Sequence, residues 1–196
     1  MNAEAPAITF LHASLINNFV LSSFLGICPF LGVSGRVSTA LRMGIAVAVV
    51  MLISSLSAYG INALLVLLEA PYLRLISYIV VIASAVQLVE LITRRFSPAL
   101  FQALGIYLPL ITTNCAILGL ALFQTSRQYD LIHSIAYALG AGTGFILALL
   151  LMSGIREELS RSQQPSAVRG LAIVLIVAGI LALAFMGFAG LGTGQV

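Results

Sequence analysis

From Ala5 to Gly35 the chain runs 31 residues without an acid, a lysine or an arginine, and from Phe96 to Ser126 it does so again over another 31. Met43–Leu68, Leu131–Ile155 and Gly170–Val196 are also free of charge, and Leu75–Thr93 is interrupted only by Glu90. A helix that crosses a bilayer needs about 20 mostly apolar residues, so these runs fit six spans. A soluble domain is excluded, because its surface needs charge; here charged residues are 8% of the total and the mean hydropathy is +1.13. The expected fold class is an all-α polytopic membrane protein, one integral membrane domain over residues 1–196. Any chemistry in the aqueous phase then falls to other chains.

Glu4 stands where a secretory signal would carry its basic region, so the first span is expected to stay in the mature protein. Charge also orients the spans. Seven of the nine arginines (36, 42, 94, 95, 156, 161 and 169) fall in the loops after spans 1, 3 and 5. Only Arg74 and Arg127 fall on the other side. Positive loops stay cytoplasmic, which places both termini outside, in the periplasm of a bacterial cell with the protein in its inner membrane. The net charge of +3 is spread singly and in pairs, so no nucleic-acid surface is expected.

The two 31-residue runs are too long for one plain span each, and both contain helix breakers. The first holds Asn17-Asn18 and then Gly26-Ile-Cys28-Pro29-Phe-Leu-Gly32. The second holds Gly105, Pro109, Thr112-Thr113-Asn114 and Cys115-Ala-Ile-Leu-Gly119. A proline inside a helix removes a hydrogen bond and clashes with the preceding turn, so span 1 is expected to break near Cys28 and resume as a short second piece. Irregular backbone at membrane depth survives only where protein or water covers it. Each interrupted helix is followed by two plain ones. Three spans per half is an odd number, so the second half enters from the opposite side. The pattern reads as two inverted three-helix repeats, about residues 8–93 and 98–190, with helices 1 and 4 interrupted.

Cys28 and Cys115 are the only two cysteines, 87 positions apart, and both begin Cys-x-x-Leu-Gly. The repeat would bring them together near the midplane. The residues alone leave two readings open. Free cysteine is a small hydrophobe at home in an apolar interior. Alternatively, the pair ligates a metal, whose positive charge would offset the cost of burying a thiolate. A disulfide gains little there. A two-iron cluster takes four thiolates, and His12 and His133 lie elsewhere in their spans, so a second chain would supply the missing pair. Asn17 and Asn18 are expected to bond across helices or to the freed backbone; Thr113 and Asn114 stay open between that role and an ion path. Glu90 reads as an interfacial partner of Arg94, with an ion-pathway carboxylate as the alternative. Gly140-Ala-Gly142-Thr-Gly144 reads as a packing stripe, since neither a preceding strand nor a lysine supports a phosphate loop.

At Asn17–Leu21, Leu25–Ser34 and Leu104–Gly119, and again at Gly154–Leu159 and Leu183–Leu191, the sequence resembles the A-subunit family of Rnf electron-transport complexes. The resemblance covers nearly the whole chain. Asn17 and Pro29 set it apart from the sister family, the E subunits of the sodium-pumping NADH:quinone oxidoreductase. That sister is the alternative, along with an inverted-repeat secondary transporter. Gly35-Arg36 departs from the family, which often has two lysines there. The resemblance implies a membrane component of a redox-driven ion translocase that passes electrons between ferredoxin and NAD. It implies that Cys28 and Cys115 are this chain's ligands to a [2Fe-2S] cluster shared with the homologous E subunit. It implies that the B, C, D and G subunits are further partners. FMN, riboflavin and NAD would be bound on those other chains, with no complete active site here.

Overall fold

A computed structural model describes residues 5–69, 71–96, 111, 113–161 and 170–192. Every regular element among them is helical. The chain opens with α1 (Pro6–Leu11), a π-helical turn (His12–Ile16), α2 (Phe19–Ser23) and α3 (Ile27–Val33). Next come α4 (Val37–Leu67), a short 3-10 turn (Pro71–Leu73) and α5 (Arg74–Phe96). The second half supplies α6 (Cys115–Ser126), α7 (Leu131–Arg161) and α8 (Leu171–Gly192). Among the described residues three helices are long and apolar enough to cross a bilayer, namely Val37–Leu67, Arg74–Ile92 and Leu131–Arg161; Pro6–Ile16, Cys115–Ser126 and Leu171–Gly187 are shorter apolar segments. The start of the fourth expected span, with Gly105 and Pro109, lies outside the described residues, as does the Arg94 side chain expected to meet Glu90.

The centre is the pair α4 and α7, each 31 residues long. Both extend past the spans expected from hydropathy, and α7 carries the first charges of its loop as helix. A Cβ on Gly44 would sit 2.9 Å from Ile146 Cγ1, and one on Gly142 would sit 2.8 Å from the Ala48 Cβ. As the number rises on one helix it falls on the other, so the two pack antiparallel at small-residue distance. Met43, Val47 and Met51 of α4 and Phe145, Leu149 and Met152 of α7 fill the core between them. Many large side chains on α5 and α8 face outward, among them Ile76, Val80, Leu183 and Met186. An apolar exterior of this kind suits hydrocarbon, not water.

The expected packing role of the glycine stripe holds. A Cβ on Gly140 would meet the Phe10 carbonyl oxygen at 2.5 Å, and one on Gly144 would meet that of Ser14 at 2.7 Å. Both obstacles are backbone, so α1 and the π turn lie directly on this face of α7. Gly142 points to α4 instead. One stripe therefore serves two neighbours.

The first span is not one helix with one break. It breaks at Asn17–Asn18 and again at Phe24–Gly26, where Phe24 (φ 54°) and Gly26 (φ 81°) are left-handed. Pro29 is not the cause of the second break. The first bond of the α3 ladder runs from Phe30 N–H to the Gly26 carbonyl, so Pro29 lies in the first turn, where a missing N–H costs nothing.

Candidate metal centre at two helix breaks

Asn18 resolves the first break. Its Oδ1 accepts from Val20 N–H, capping α2, and its Nδ2 donates to the Gly144 carbonyl at 2.7 Å. Its side chain is buried and spans two helices, as expected for a polar group holding interrupted backbone. Asn114 plays the same part at the second break: it is extended, and its Oδ1 caps α6 by accepting from Ala116 N–H at 3.0 Å. This settles which end of the amide faces the helix, because the reverse assignment would set N–H against N–H. Its Nδ2 is buried without a partner among the described residues.

Both cysteines follow such a break directly. Cys28 is the second residue of α3, after the left-handed Gly26, and Cys115 is the first residue of α6, after Asn114. The two breaks touch. Gly26 N–H donates to Cys115 Sγ at 2.9 Å. A Cβ on Gly26 would lie 3.3 Å from Asn114 Oδ1, 3.2 Å from the Ala116 Cβ and 2.9 Å from Phe145 Cε2. Glycine is thus required twice over, for its φ and for the space. One turn further on, a Cβ on Gly119 would lie 2.6 Å from Leu25 Cδ1. The Cys-x-x-Leu-Gly glycine of the second half thus admits Leu25, the leucine between the left-handed Phe24 and Gly26.

Both cysteines are free thiols exposed at the chain's own surface. The residues around them are not: Gly26, Pro29, Asn114 and Ala116 are buried. First-turn N–H groups of a helix carry partial positive charge and favour an anion beside them. Cys115 stands at such an end, and its sulfur accepts the Gly26 N–H as well. No group of three or more His, Cys, Asp or Glu side chains able to hold a metal occurs among the described residues. His12 starts the π turn, and His133 stacks on Tyr129 at 6.1 Å in the first turn of α7, so neither joins the thiols. The chain therefore presents two exposed thiols, a number that fits half of a four-thiolate site and no complete one.

Arg156 is a residue that sequence reasoning misses. By its position in the sequence it is only one of the arginines that orient the chain. In the fold it lies within α7, and its Nη1 donates to the Leu31 carbonyl at 2.9 Å and to Ser34 Oγ at 2.8 Å. Both acceptors belong to the C-terminal end of α3.

Comparison with known proteins gives a consistent result. The family model described as "Rnf-Nqr subunit, membrane protein" matches residues 7–192. The A subunit of the Na(+)-translocating ferredoxin:NAD(+) oxidoreductase complex of Acetobacterium woodii is 52% identical over 183 residues, covering 93% of this chain and 95% of its own length. The A subunit of the ion-translocating oxidoreductase complex of Syntrophotalea carbinolica is 53% identical over 183 residues, with the same coverage of 93% and 95%. The protein of that name from Serratia proteamaculans is 49% identical over 185 residues, covering 94% of this chain and 96% of its own.

Proposed function

The chain belongs to the Rnf-Nqr family of membrane subunits, and on that premise we propose that it is the A subunit of an ion-translocating ferredoxin:NAD oxidoreductase complex in a bacterial inner membrane. Cys28 and Cys115 are its two ligands to a [2Fe-2S] cluster whose other two ligands come from the homologous E subunit. When bound, the cluster supplies one-electron transfer at membrane depth. This chain's own part is to hold two sulfurs at a fixed place in the bilayer, keep water from them on one side, and leave them open to the partner on the other. FMN, riboflavin and NAD belong to the B, C, D and G subunits.

The observation that carries this reading is the Gly26 N–H bond to Cys115 Sγ at 2.9 Å. It brings two breaks, 89 residues apart, into one site. A neutral thiol can face lipid as a small hydrophobe, but a lipid-facing thiolate has nothing to offset its desolvation. A partner surface with a metal does offset it. The equal lengths and antiparallel packing of α4 and α7 support the inverted-repeat reading. The arginine distribution supports cytoplasmic loops after spans 1, 3 and 5 and periplasmic termini.

Iron analysis and electron paramagnetic resonance of the purified complex provide the test. Changing either Cys28 or Cys115 to alanine is expected to abolish one iron-sulfur signal and lower the iron content by about two atoms per complex, the cluster being a two-iron one. Full iron content in Cys115→Ala overturns the reading.

A further inference from the structure

Helix α3 is seven residues long, too short to hold itself together. At its N-terminal end it is fixed to the second half by the Gly26 bond to Cys115 Sγ. At the other end the Leu31 carbonyl is one of the last-turn acceptors that have no partner within a helix. In a bilayer such a group must be satisfied by protein. Arg156 does this, and the same Nη1 also takes the hydroxyl of Ser34, which is completely buried. A cation at a helix C-terminus is favoured by the helix dipole as well. The neighbouring charges are engaged differently: Arg161 pairs with Glu157 and Glu158 at 3.4 and 3.6 Å on the exposed side of α7. Such pairs contribute little. Arg156 alone of the two α7 arginines reaches across to the first half.

We infer that Arg156 is a positioning residue for Cys28: it anchors α3 one turn beyond the thiol, so that the end of α3 is held on α7 while the Cys28 thiol, like that of Cys115, stays exposed. Leu31 is three residues after Cys28, and the i, i+3 relation puts the anchor directly below the sulfur-bearing turn. Cys115 needs no such anchor, because it begins a 12-residue helix that is buried along much of its length. The inference rests on the cluster reading for its meaning, though not for its test.

The test is the relative reactivity of the two thiols toward N-ethylmaleimide in the complex in native membranes, after iron has been removed with a chelator. Labelling of the Cys28 and Cys115 peptides is scored separately by mass spectrometry. Arg156→Met is expected to raise the Cys28 to Cys115 labelling ratio roughly tenfold, because a hydrogen bond from a charged donor typically shifts an equilibrium by at least that much. Arg156→Lys is expected to restore most of the wild-type ratio. Ser34→Ala, which keeps the arginine and removes one acceptor, is expected to raise the ratio by a smaller factor. An equal rise at both thiols in Arg156→Met marks a general loosening and overturns the inference, as does an unchanged ratio. If Arg156→Met fails to assemble, an unchanged ratio in Ser34→Ala is decisive against it. Fast labelling of both thiols in a wild-type complex from which no iron has been removed would sink the cluster reading, while the ratio in the stripped complex still judges Arg156.

Discussion

Gly26 donates its backbone N–H to the sulfur of Cys115 at 2.9 Å, and its own φ of 81° is what aims that N–H across the gap between two interrupted helices. The bond joins a backbone group freed by one helix break to a side chain exposed by the other. A position that hydropathy treats as one more small apolar residue becomes the joint of the site.

Gly26→Ala is accordingly expected to be costly. The left-handed backbone alone disfavours a Cβ by about 1–2 kcal/mol, and overpacking against Asn114, Ala116 and Phe145 adds roughly 1–3 kcal/mol. Gly119→Ala is the control. Its Cβ meets only the end of the Leu25 side chain, which can rotate away, so a loss of about 1 kcal/mol or less is expected. Thermal unfolding of the complex in detergent, with iron per complex measured alongside, separates the two variants.

Gly144→Ala pushes a methyl group into the Ser14 carbonyl and the Asn18 amide, at 2.7 and 3.0 Å. Neither can move without releasing the cap of α2. A loss of about 2–4 kcal/mol is expected. Gly179→Ala on α8 meets nothing within 4 Å and is expected to be neutral or to stabilise by up to ~1 kcal/mol through helix propensity. Equal melting temperatures for the two variants would show that the π turn does not lie on the α7 stripe.

Asn114→Ala removes the cap of α6 and is expected to cost about 0.5–2 kcal/mol. Asn114→Ser keeps a capping oxygen and removes the buried amide nitrogen that has no partner among the described residues. It is expected to be at least as stable as the wild type to within about 1 kcal/mol. Thermal melts of the two variants check this; a serine variant as unstable as the alanine one would rule out capping as the role of this side chain.

A buried polar knot ties α4 and α5 to α6. Ser55 Oγ donates to Gln124 Oε1 at 2.6 Å, Gln124 Nε2 returns a bond to the Ser55 carbonyl at 2.9 Å, and Tyr78 shares a hydrogen bond of 2.7 Å with Thr125. Gln124→Leu leaves the Ser55 hydroxyl without this acceptor and is expected to cost about 1–3 kcal/mol. The double variant with Ser55→Ala should lose less than the sum of the single losses, by roughly 0.5 kcal/mol or more. Strict additivity in a double-mutant cycle would mean the two side chains do not interact.

Much of this is legible in the residues. Long uncharged runs require helices in a bilayer because no other open structure satisfies the backbone there. The matched Cys-x-x-Leu-Gly segments point to one site built from two halves, and the Gly140–Gly144 stripe to close packing. Less legible is where the backbone turns. Pro29 stands out as the breaker, yet the turn is made by Phe24 and Gly26. A proline in the first turn and one in a helix interior have the same local sequence, and only the ladder around them tells them apart. The break at Asn17–Asn18 reads as a polar patch within a continuous helix, because asparagine serves both roles. Arg156 is invisible as an anchor for a different reason. Its acceptors are a carbonyl and a serine 125 and 122 residues away, and nothing local announces such a pairing.

Helix α7 has a consequence of its own. At 1.5 Å per residue its 31 residues extend about 46 Å, against a hydrocarbon thickness near 30 Å. It works as a ruler fixed at two marks. Gly144 seats the first break through the Asn18 amide, and Arg156, twelve residues and about 18 Å further along, seats the end of α3. The separation between the marks is fixed by residue count, and so is their angle around the axis. A single residue inserted between them would turn Arg156 by about 100° away from Leu31 while leaving the helix intact. The length of this stretch is therefore as much a part of the site as the sulfurs it positions.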